Sequence, residues 1–380
     1  MAYSVSHNIV IIGRNIAGLG AAYVLGSAGH KVTIVGEKTS LYGGFQLAPN
    51  GFKALEVLGL RSEIDAGASY VNSIQLKSLE RSERLAEVKH DTTTLYAGVS
   101  RQHILDCLTA ATANLPVTIK QSRLKALDLG KEMTKARLLL ETGEIITPKL
   151  VIGADGNNGL CRATVTGYRP AKASSPYLAL RAEIPASTLA NPFSDKVCQL
   201  WLGNGSHFVC YPFQYQKEAR INAVYCVKRC NLPSTPSDWA RQTFASHPVL
   251  WGFADERIKW QETDLPDCDS LPVWQRGCLT LLGDAAHQMP PHLAQGAGQI
   301  FEDLACLSDC LKVSPAKVAL QEMAQTRSRT VTLTVQKARQ SGSVMRLDGL
   351  SAGLRNNFLK AAGGSFIEEW LRSVWYGPEN

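Results

Sequence analysis

No apolar run in this 380-residue chain approaches the roughly 18 residues that a membrane-crossing helix needs. No C-x-x-C pair and no histidine cluster at zinc spacing occurs, so no metal site is expected. Lys and Arg number 40 against 33 acidic residues, yet they form no run of five or more. A nucleic-acid surface is therefore not expected, and the net charge of +7 reads as a solvated basic surface whose diffuse field also gathers anionic small molecules. Internal repeats and low-complexity tracts are absent. The first residues, Met1 to His7, are short and polar and run straight into a strand, unlike a secretory signal. Ten cysteines are present, two pairs of them at i, i+4 (Cys226/Cys230 and Cys306/Cys310). Without a disulfide or metal pattern they read as reduced thiols, which places the protein in the cytoplasm. The remaining composition, 45% hydrophobic and 19% charged, is ordinary for a globular protein of one large domain or two.

The most informative stretch runs from Thr280 to Asp303. An apolar strand, Cys278 to Leu282, ends in Gly283-Asp284. A polar loop follows with Pro290, Pro291 and His292, then a Gly296-Ala297-Gly298 turn and a helical pattern to Leu311. Such a loop places the Asp284 carboxylate at a strand end. It also aims a helix N-terminus, with free N–H groups and a positive dipole, at whatever lies above it. An anionic or electron-rich cofactor is the natural occupant.

The N-terminal region reads as a βαβ unit. Asn8 to Ile12 is an apolar strand, Gly13-Arg-Asn15-Ile-Ala17-Gly18 opens an Ala-rich helix, and Val32 to Val35 is a second strand. This is a dinucleotide fingerprint, in which glycines allow a tight turn and the helix start receives a pyrophosphate. It departs from the pattern twice. Asn15 stands where the middle glycine belongs; it tolerates left-handed backbone, but its Cβ crowds the pyrophosphate approach. The ribose-binding acid falls on Gly36, with Glu37 one place late, and a bulge at Gly36 would restore its reach.

Three further elements follow in order. Tyr42 to Gly51 is a Gly-rich loop containing Gln46, ending in Pro-Asn before a helix. Arg101 begins an amphipathic helix. Leu150 to Gly153 is a strand ending in Ala154-Asp155-Gly156, with Arg162 on the next helix. Residues 176–230 then change character. Alternating strands such as Tyr177 to Ile184, Cys198 to Leu202 and His207 to Phe213 suggest an antiparallel sheet. His207 and Tyr211 lie four apart on one strand and so share a face. After a helix at about 315–340, short helices continue to Tyr376.

Together these motifs resemble the group A flavoprotein monooxygenases, the p-hydroxybenzoate hydroxylase-like class, over nearly the whole chain. Within it they resemble the salicylate hydroxylase and 6-hydroxynicotinate 3-monooxygenase type. The resemblance implies an α/β fold, a Rossmann-like FAD-binding domain with an interleaved antiparallel-sheet substrate domain. The FAD-binding parts would be 1–70, 97–170 and 273–340, the substrate sheet 71–96 and 171–272, and the C-terminal helices 341–380. It implies tightly bound, non-covalent FAD, NADPH or NADH as a transient reductant, and O2. The chemistry would be hydroxylation of a small aromatic or heteroaromatic compound through a flavin hydroperoxide, with decarboxylation where the attacked carbon carries a carboxylate.

The cofactor residues would be Gly13, Asn15, Ala17, Gly18, Gly36, Glu37, Gln46, Arg101, Leu124, Asp155, Asp284, Pro291, Gly296, Ala297 and Gly298. Gln46, Cys198, Tyr211, Pro291 and His292 would line the substrate site. Tyr211 would bond the substrate hydroxyl, His207 would relay its proton, and His292 would sit on the flavin side; His287 would support the loop. Two alternatives stay open: a flavin-dependent epoxidase or tailoring enzyme on a non-aromatic intermediate, and a degenerate flavin-fold protein that binds without turnover. The expected assembly is a monomer or homodimer, with no nucleic acid and no membrane span.

Overall fold

The structure is a computed structural model and describes residues 8–90, 94–168, 175–189, 193, 196–229, 235–265 and 270–377. Cys230 and the segment before Asn8 lie outside the described residues. Five strands form a parallel sheet in the order Leu279–Leu281, Leu150–Gly153, Asn8–Ile12, Lys31–Val35 and Val117–Lys120. The short strand Gln275–Arg276 adds an antiparallel edge. Ile9, Val10 and Ile11 are fully buried, as a parallel strand covered on both faces requires. Because all five strands run the same way, their C-terminal ends open on one edge. Gly13, Gly36, Asp155 and Gly283, far apart in sequence, are brought to that edge by topology alone. Ligands of open α/β sheets sit there for this reason.

The helix Ile16–Ser27 is buried nearly all round, against the sheet, the helix Arg101–Thr112 and the helix Gly296–Val313. Gly20 permits the closest contact: a Cβ there would stand 2.3 Å from Leu304 Cδ1.

The second layer is a seven-stranded sheet in the order Gln261–Asp264, Tyr177–Pro185, Glu218–Lys228, His207–Tyr215, Val197–Leu202, Ser73–Ser78 and Arg84–Lys89. Its strands are antiparallel except for Val197–Leu202 beside Ser73–Ser78. One face buries Leu178, Leu180, Phe208, Ala223 and Tyr225 beneath the helix Pro236–Phe244 and the turn Trp251–Ala254. The alternate residues, among them Arg181, Cys226, His207 and Tyr211, occupy the other face, as the two-residue period demands. A small sheet of Gly44–Leu47, Ala97–Ser100 and Ala68–Tyr70 joins the layers. Gly98 makes the junction possible, since a Cβ there would fall 2.0 Å from Pro212 O.

Ala316–Met345 is one long helix, close to the 315–340 expected, and Gly349–Trp375 is broken at Gly363 (φ +71°) into two shorter helices, as the expectation of short helices up to Tyr376 has it. Gly364 lies against the strand Arg84–Lys89, where a Cβ would stand 1.9 Å from Glu87 O. No helix among the described residues is long and apolar enough to cross a membrane.

A buried ionic network ties three of these elements together. Asp303, fully buried, accepts from Gly283 N at 3.4 Å, meets His287 Nε2 at 2.6 Å and accepts from Arg327 Nε at 2.8 Å. Arg327 also donates to Glu302 at 2.7 Å and to Gln299 Oε1 at 2.6 Å. Burial opposes ionisation of Asp303, but His287 and Arg327 outweigh it and hold the carboxyl below its ordinary value. Removing one partner of such a pair strands a charge. The substitution Arg327→Leu is expected to lower unfolding stability by about 3–5 kcal/mol. Urea denaturation checks this, and an unchanged midpoint would show that the pair carries no such weight.

Candidate active site

The edge where the parallel strands end holds a cleft of about 240 Å³, lined by Gly13, Gly36, Leu124, Asp155, Arg123 and Leu160 among others. Four expected cofactor residues thus meet in one place. The glycines let the turn close tightly at this edge: a Cβ at Gly13 would lie 2.3 Å from Ala154 O, and one at Gly18 only 1.9 Å from Gly13 O. Asp155 accepts from Cys161 N at 2.9 Å through Oδ2, while its buried Oδ1 has no partner. Burial pushes the Asp155 carboxyl up, so an incoming hydroxyl or N–H would satisfy an atom that now lacks one.

Asn15 does not behave as expected. Its backbone is extended (φ −129°, ψ −172°), not left-handed. Its side chain caps the helix, accepting from Gly18 N at 3.0 Å and donating to Ala154 O at 2.7 Å. The side chain is thereby spent within the protein. Glu37 also departs from expectation. The strand registers on both sides run regularly to Val35, and a Cβ at Gly36 would lie 2.5 Å from Arg14 N. Glu37 instead pairs with Arg123 at 2.6 Å on the exposed rim. Arg123 carries no sequence signal beyond its charge.

Between the layers, the stretch from Thr280 to Asp303 takes up its position. Gly283 (φ +62°) packs on Ala17, to which a Cβ would come within 2.8 Å, so the Gly-Asp turn and the fingerprint helix touch. Asp284 is exposed at the cleft edge and near enough to Arg101 to favour its charged form, against burial. A short turn, Pro291–Leu293, ends at Ala294 in left-handed backbone (φ +56°). The helix Gly296–Val313 follows with no side-chain cap, and open space stands in front of Gly296. Ala297 is buried, and Gly298 lets Asn50 come close. Asn50, Gln295, Gln299 and Glu302 hydrogen-bond beneath this helix start, and Arg327 links Gln299 to Asp303, so the helix start is fixed while its N–H groups stay uncapped. An 18-residue helix with uncapped N–H groups fits an electron-rich ring or an anion.

Arg101 stacks on Phe45 at 4.3 Å and points Nε at Gly44 O at 3.4 Å. Tyr211, fully buried on the sheet, donates to the same oxygen at 2.8 Å. Burial raises the Tyr211 pKa, so it is a neutral phenol whose oxygen lone pairs remain to accept. Gln46 accepts from Tyr96, which lies with His90 and Trp375 in an aromatic wall and packs beside Cys198. Burial pushes the Cys198 thiol up to about 12, so it is a small apolar group here and not a thiolate. Motif reading missed Tyr96, although its neighbour Gln46 was named. It also missed Glu183 and Asn222, which accept from Gly43 N (2.8 Å) and Gly44 N (3.1 Å) and hold the Gly-rich loop on the sheet.

His207 and His292 come together from separate elements, with ring centroids 5.1 Å apart in an edge-on arrangement. Arg346, also missed, donates Nη1 to His292 Nε2 at 2.9 Å. A guanidinium cannot accept, so the His292 ring proton sits on Nδ1. Burial, Arg346 and Arg181 lower the His292 pKa to about 3. Burial, His292, Arg346 and Arg355 lower that of His207. Both rings are neutral imidazoles at physiological pH.

A family model described as FAD binding domain matches residues 6–313. The chain belongs to the FAD-binding domain family. A 3-hydroxybenzoate 6-hydroxylase of Aquipseudomonas alcaligenes is 27% identical, with 98% of each chain covered. A 6-hydroxynicotinate 3-monooxygenase of Bordetella bronchiseptica is also 27% identical, over 79% of this chain and 81% of its own. Among solved structures, Klebsiella pneumoniae HpxO, complexed with FAD and uric acid, superposes with a TM-score of 0.85 at 19% identity, covering 99% of this chain and 98% of its own. A salicylate hydroxylase substrate complex gives 0.78 at 20% identity, covering 97% and 95%. The expected fold, the flavoprotein monooxygenase class and FAD as cofactor are borne out. The cleft, the orphaned Asp155 oxygen and the uncapped helix all suit that cofactor.

Two outcomes follow for the flavoprotein. Asn15→Gly weakens a helix cap, worth a few tenths of a kcal/mol against Gly, and removes the hydrogen bond to Ala154 O, so it is expected to lower stability by roughly 1 kcal/mol in all and to weaken FAD binding. Flavin-fluorescence titration measures the affinity, and tighter binding would restore the crowding explanation. The unfolded chain takes up protons at His292 near pH 6.5, whereas the folded ring resists until about 3. Stability therefore rises with pH between those values. His292→Gln should flatten the stability curve between pH 4 and 6.5; a slope identical to wild type would assign it to other groups.

Proposed function

We propose that this protein uses NAD(P)H and O2 to hydroxylate a small aromatic or heteroaromatic compound bound between the two layers. The observation that carries this reading is the junction itself: an uncapped helix start and cofactor cradle on one side, and Tyr211, His207 and His292 converging on the other. FAD, when bound, supplies the oxygen-transfer chemistry. Gly13, Gly18, Gly36, Leu124 and Asp155 would hold its adenosine and pyrophosphate end, with Arg101, Asp284 and the Pro291–Gly298 loop toward the ring. The segments 1–70, 97–170 and 273–340 then act as the flavin domain, 71–96 and 171–272 as the substrate sheet, and 341–380 as flanking helices.

The protein's own side chains prepare the substrate. Tyr211 has spent its proton on Gly44 O, so it holds a substrate hydroxyl as an acceptor. His207 is neutral and too strongly desolvated to keep a proton, which suits a relay that takes one at one nitrogen and releases it at the other. Aromatic walls from Tyr96 and Trp375 match a planar ring. The bound reductant would be NADPH or NADH, and a cytoplasmic monomer or homodimer fits the thiols and surface.

Purified protein is expected to be yellow, and a panel of hydroxylated aromatic acids should accelerate NADPH or NADH oxidation with a product heavier by one oxygen. Tyr211→Phe and His207→Ala should each lower kcat by about 10²- to 10³-fold with FAD retained. Stimulation by alkenes alone would move the reading to an epoxidase. Colourless protein that gains no chromophore from added FAD would remove catalysis altogether.

A further inference from the structure

The C-terminal helix Gly349–Trp375 turns an apolar stripe to solvent. In its first half, before the break at Gly363, Leu350 is 91% exposed, Leu354 70% and Phe358 53%. These residues stand at i, i+4 and i+8 and so share one face. The opposite face packs inward through Ala352, Arg355 and Leu359. Phe366, 46% exposed, meets Phe358 edge-on with ring centroids 5.1 Å apart, which holds the aromatic end of the stripe in place. A surface helix ordinarily buries its apolar stripe and shows a polar face to water. This one carries large apolar side chains on the side that faces out.

Charge is missing from that side. Between Gly349 and Ser365 the sequence holds two charged residues, and both are engaged elsewhere. Arg355 is buried and donates to Met345 O at 2.9 Å and Gly203 O at 3.0 Å. Lys360 pairs with Glu83 at 2.6 Å. A compact apolar patch depleted of charge is the signature of an interface core. The stripe also contains a glycine with no reason for being there inside the chain. Gly353 is exposed, and a Cβ on it would meet nothing within 4 Å. Glycine weakens a helix interior, so the recess it leaves beside Leu350 needs an explanation from outside.

The spacing supplies one. A two-fold axis crossing the helix midway between Leu354 and Asn357 sets two copies antiparallel. Phe358 of one copy then meets Gly353 of the other, Leu350 meets Ala361, and Leu354 meets Asn357. Each large side chain finds a smaller one, twice over by symmetry, as a self-complementary interface requires. We propose that this stripe joins two copies of the chain in a homodimer, through antiparallel helices with Phe358 seated in the recess at Gly353 of the partner subunit. A stable interface takes about 800 Å² from each partner, so the stripe is its apolar core and the polar residues around it form the rim. On the inner face of the same helix Arg355 holds the turn after Met345, so the dimer also braces the segment that carries Arg346.

Sedimentation equilibrium of the FAD-loaded full chain tests the interface. Wild type should sediment at twice the chain mass at micromolar concentration. Leu354→Asp puts a charge in the core and should weaken association at least about 100-fold. Gly353→Leu is the sharper variant. It favours the helix and adds apolar surface, yet it closes the recess and should weaken the dimer at least about 10-fold. Both positions are exposed, so the core of each protomer is untouched and retained flavin absorbance reports its fold. A dimer that survives Leu354→Asp would place the contact elsewhere and overturn the assignment. A dimer that Gly353→Leu leaves unchanged or tightens would overturn the antiparallel arrangement, since the stripe would then be merely adhesive. A monomeric wild type removes the homodimer outright, and its co-sedimentation with phosphatidylcholine vesicles would give the stripe to a membrane surface instead.

Discussion

Asp303 is the point on which the site hangs. Its carboxylate is wholly buried, so it must be paired, and its partners come from two other pieces of chain: Gly283 and His287 on the Gly-Asp loop, and Arg327 on the long helix. Asp303 itself lies in the helix Gly296–Val313. One charge therefore holds the loop bearing Asp284, the uncapped helix start at Gly296, and the helix that ends beside Arg346. None of these can shift far without exposing an uncompensated ion to an apolar interior. A cofactor approached by a helix dipole needs that rigidity, because dipolar stabilisation falls off within the first turn.

The two faces of the junction divide the electrostatic labour. The cofactor side presents N–H groups, a helix start and glycines that clear space. The sheet side presents neutral imidazoles, a neutral phenol and arginines. Burial explains why the titratable groups there are neutral; neighbouring guanidiniums reinforce it for the histidines.

Asn15 shows how an apparent defect in a motif can be a substitution of means. A glycine in the middle of the fingerprint is usually explained by the clearance it leaves. Here the side chain turns away and bonds to Gly18 N and Ala154 O, so it stitches two strands' ends together while capping the helix. Glu37 is the opposite case. An acid close to the expected place is diverted to Arg123, because the regular register at Val35 leaves it one residue past the cleft.

Much was legible in the residues alone. The parallel-strand motifs, the Gly-Asp loop, the helix after Gly298 and the shared face of His207 and Tyr211 follow from local rules: apolar runs, glycine geometry and a two-residue period. These are properties of neighbouring residues, so sequence carries them directly. Long-range pairings are different. His292 meets Arg346 across 54 positions and Asp303 meets Arg327 across 24, and nothing in either local pattern marks the partner. The close approach of Gly364 to Glu87 on the strand Arg84–Lys89 is likewise a pairing that local pattern does not mark. Arg181 stood in a strand whose alternation was clear, yet only the register with Glu218–Lys228 and His207–Tyr215 set it beside the histidines. Sequence by itself determined that a cofactor cradle and a facing sheet exist; tertiary structure alone decided which charges share the space between them, because that depends on how distant elements pack and not on what each prefers.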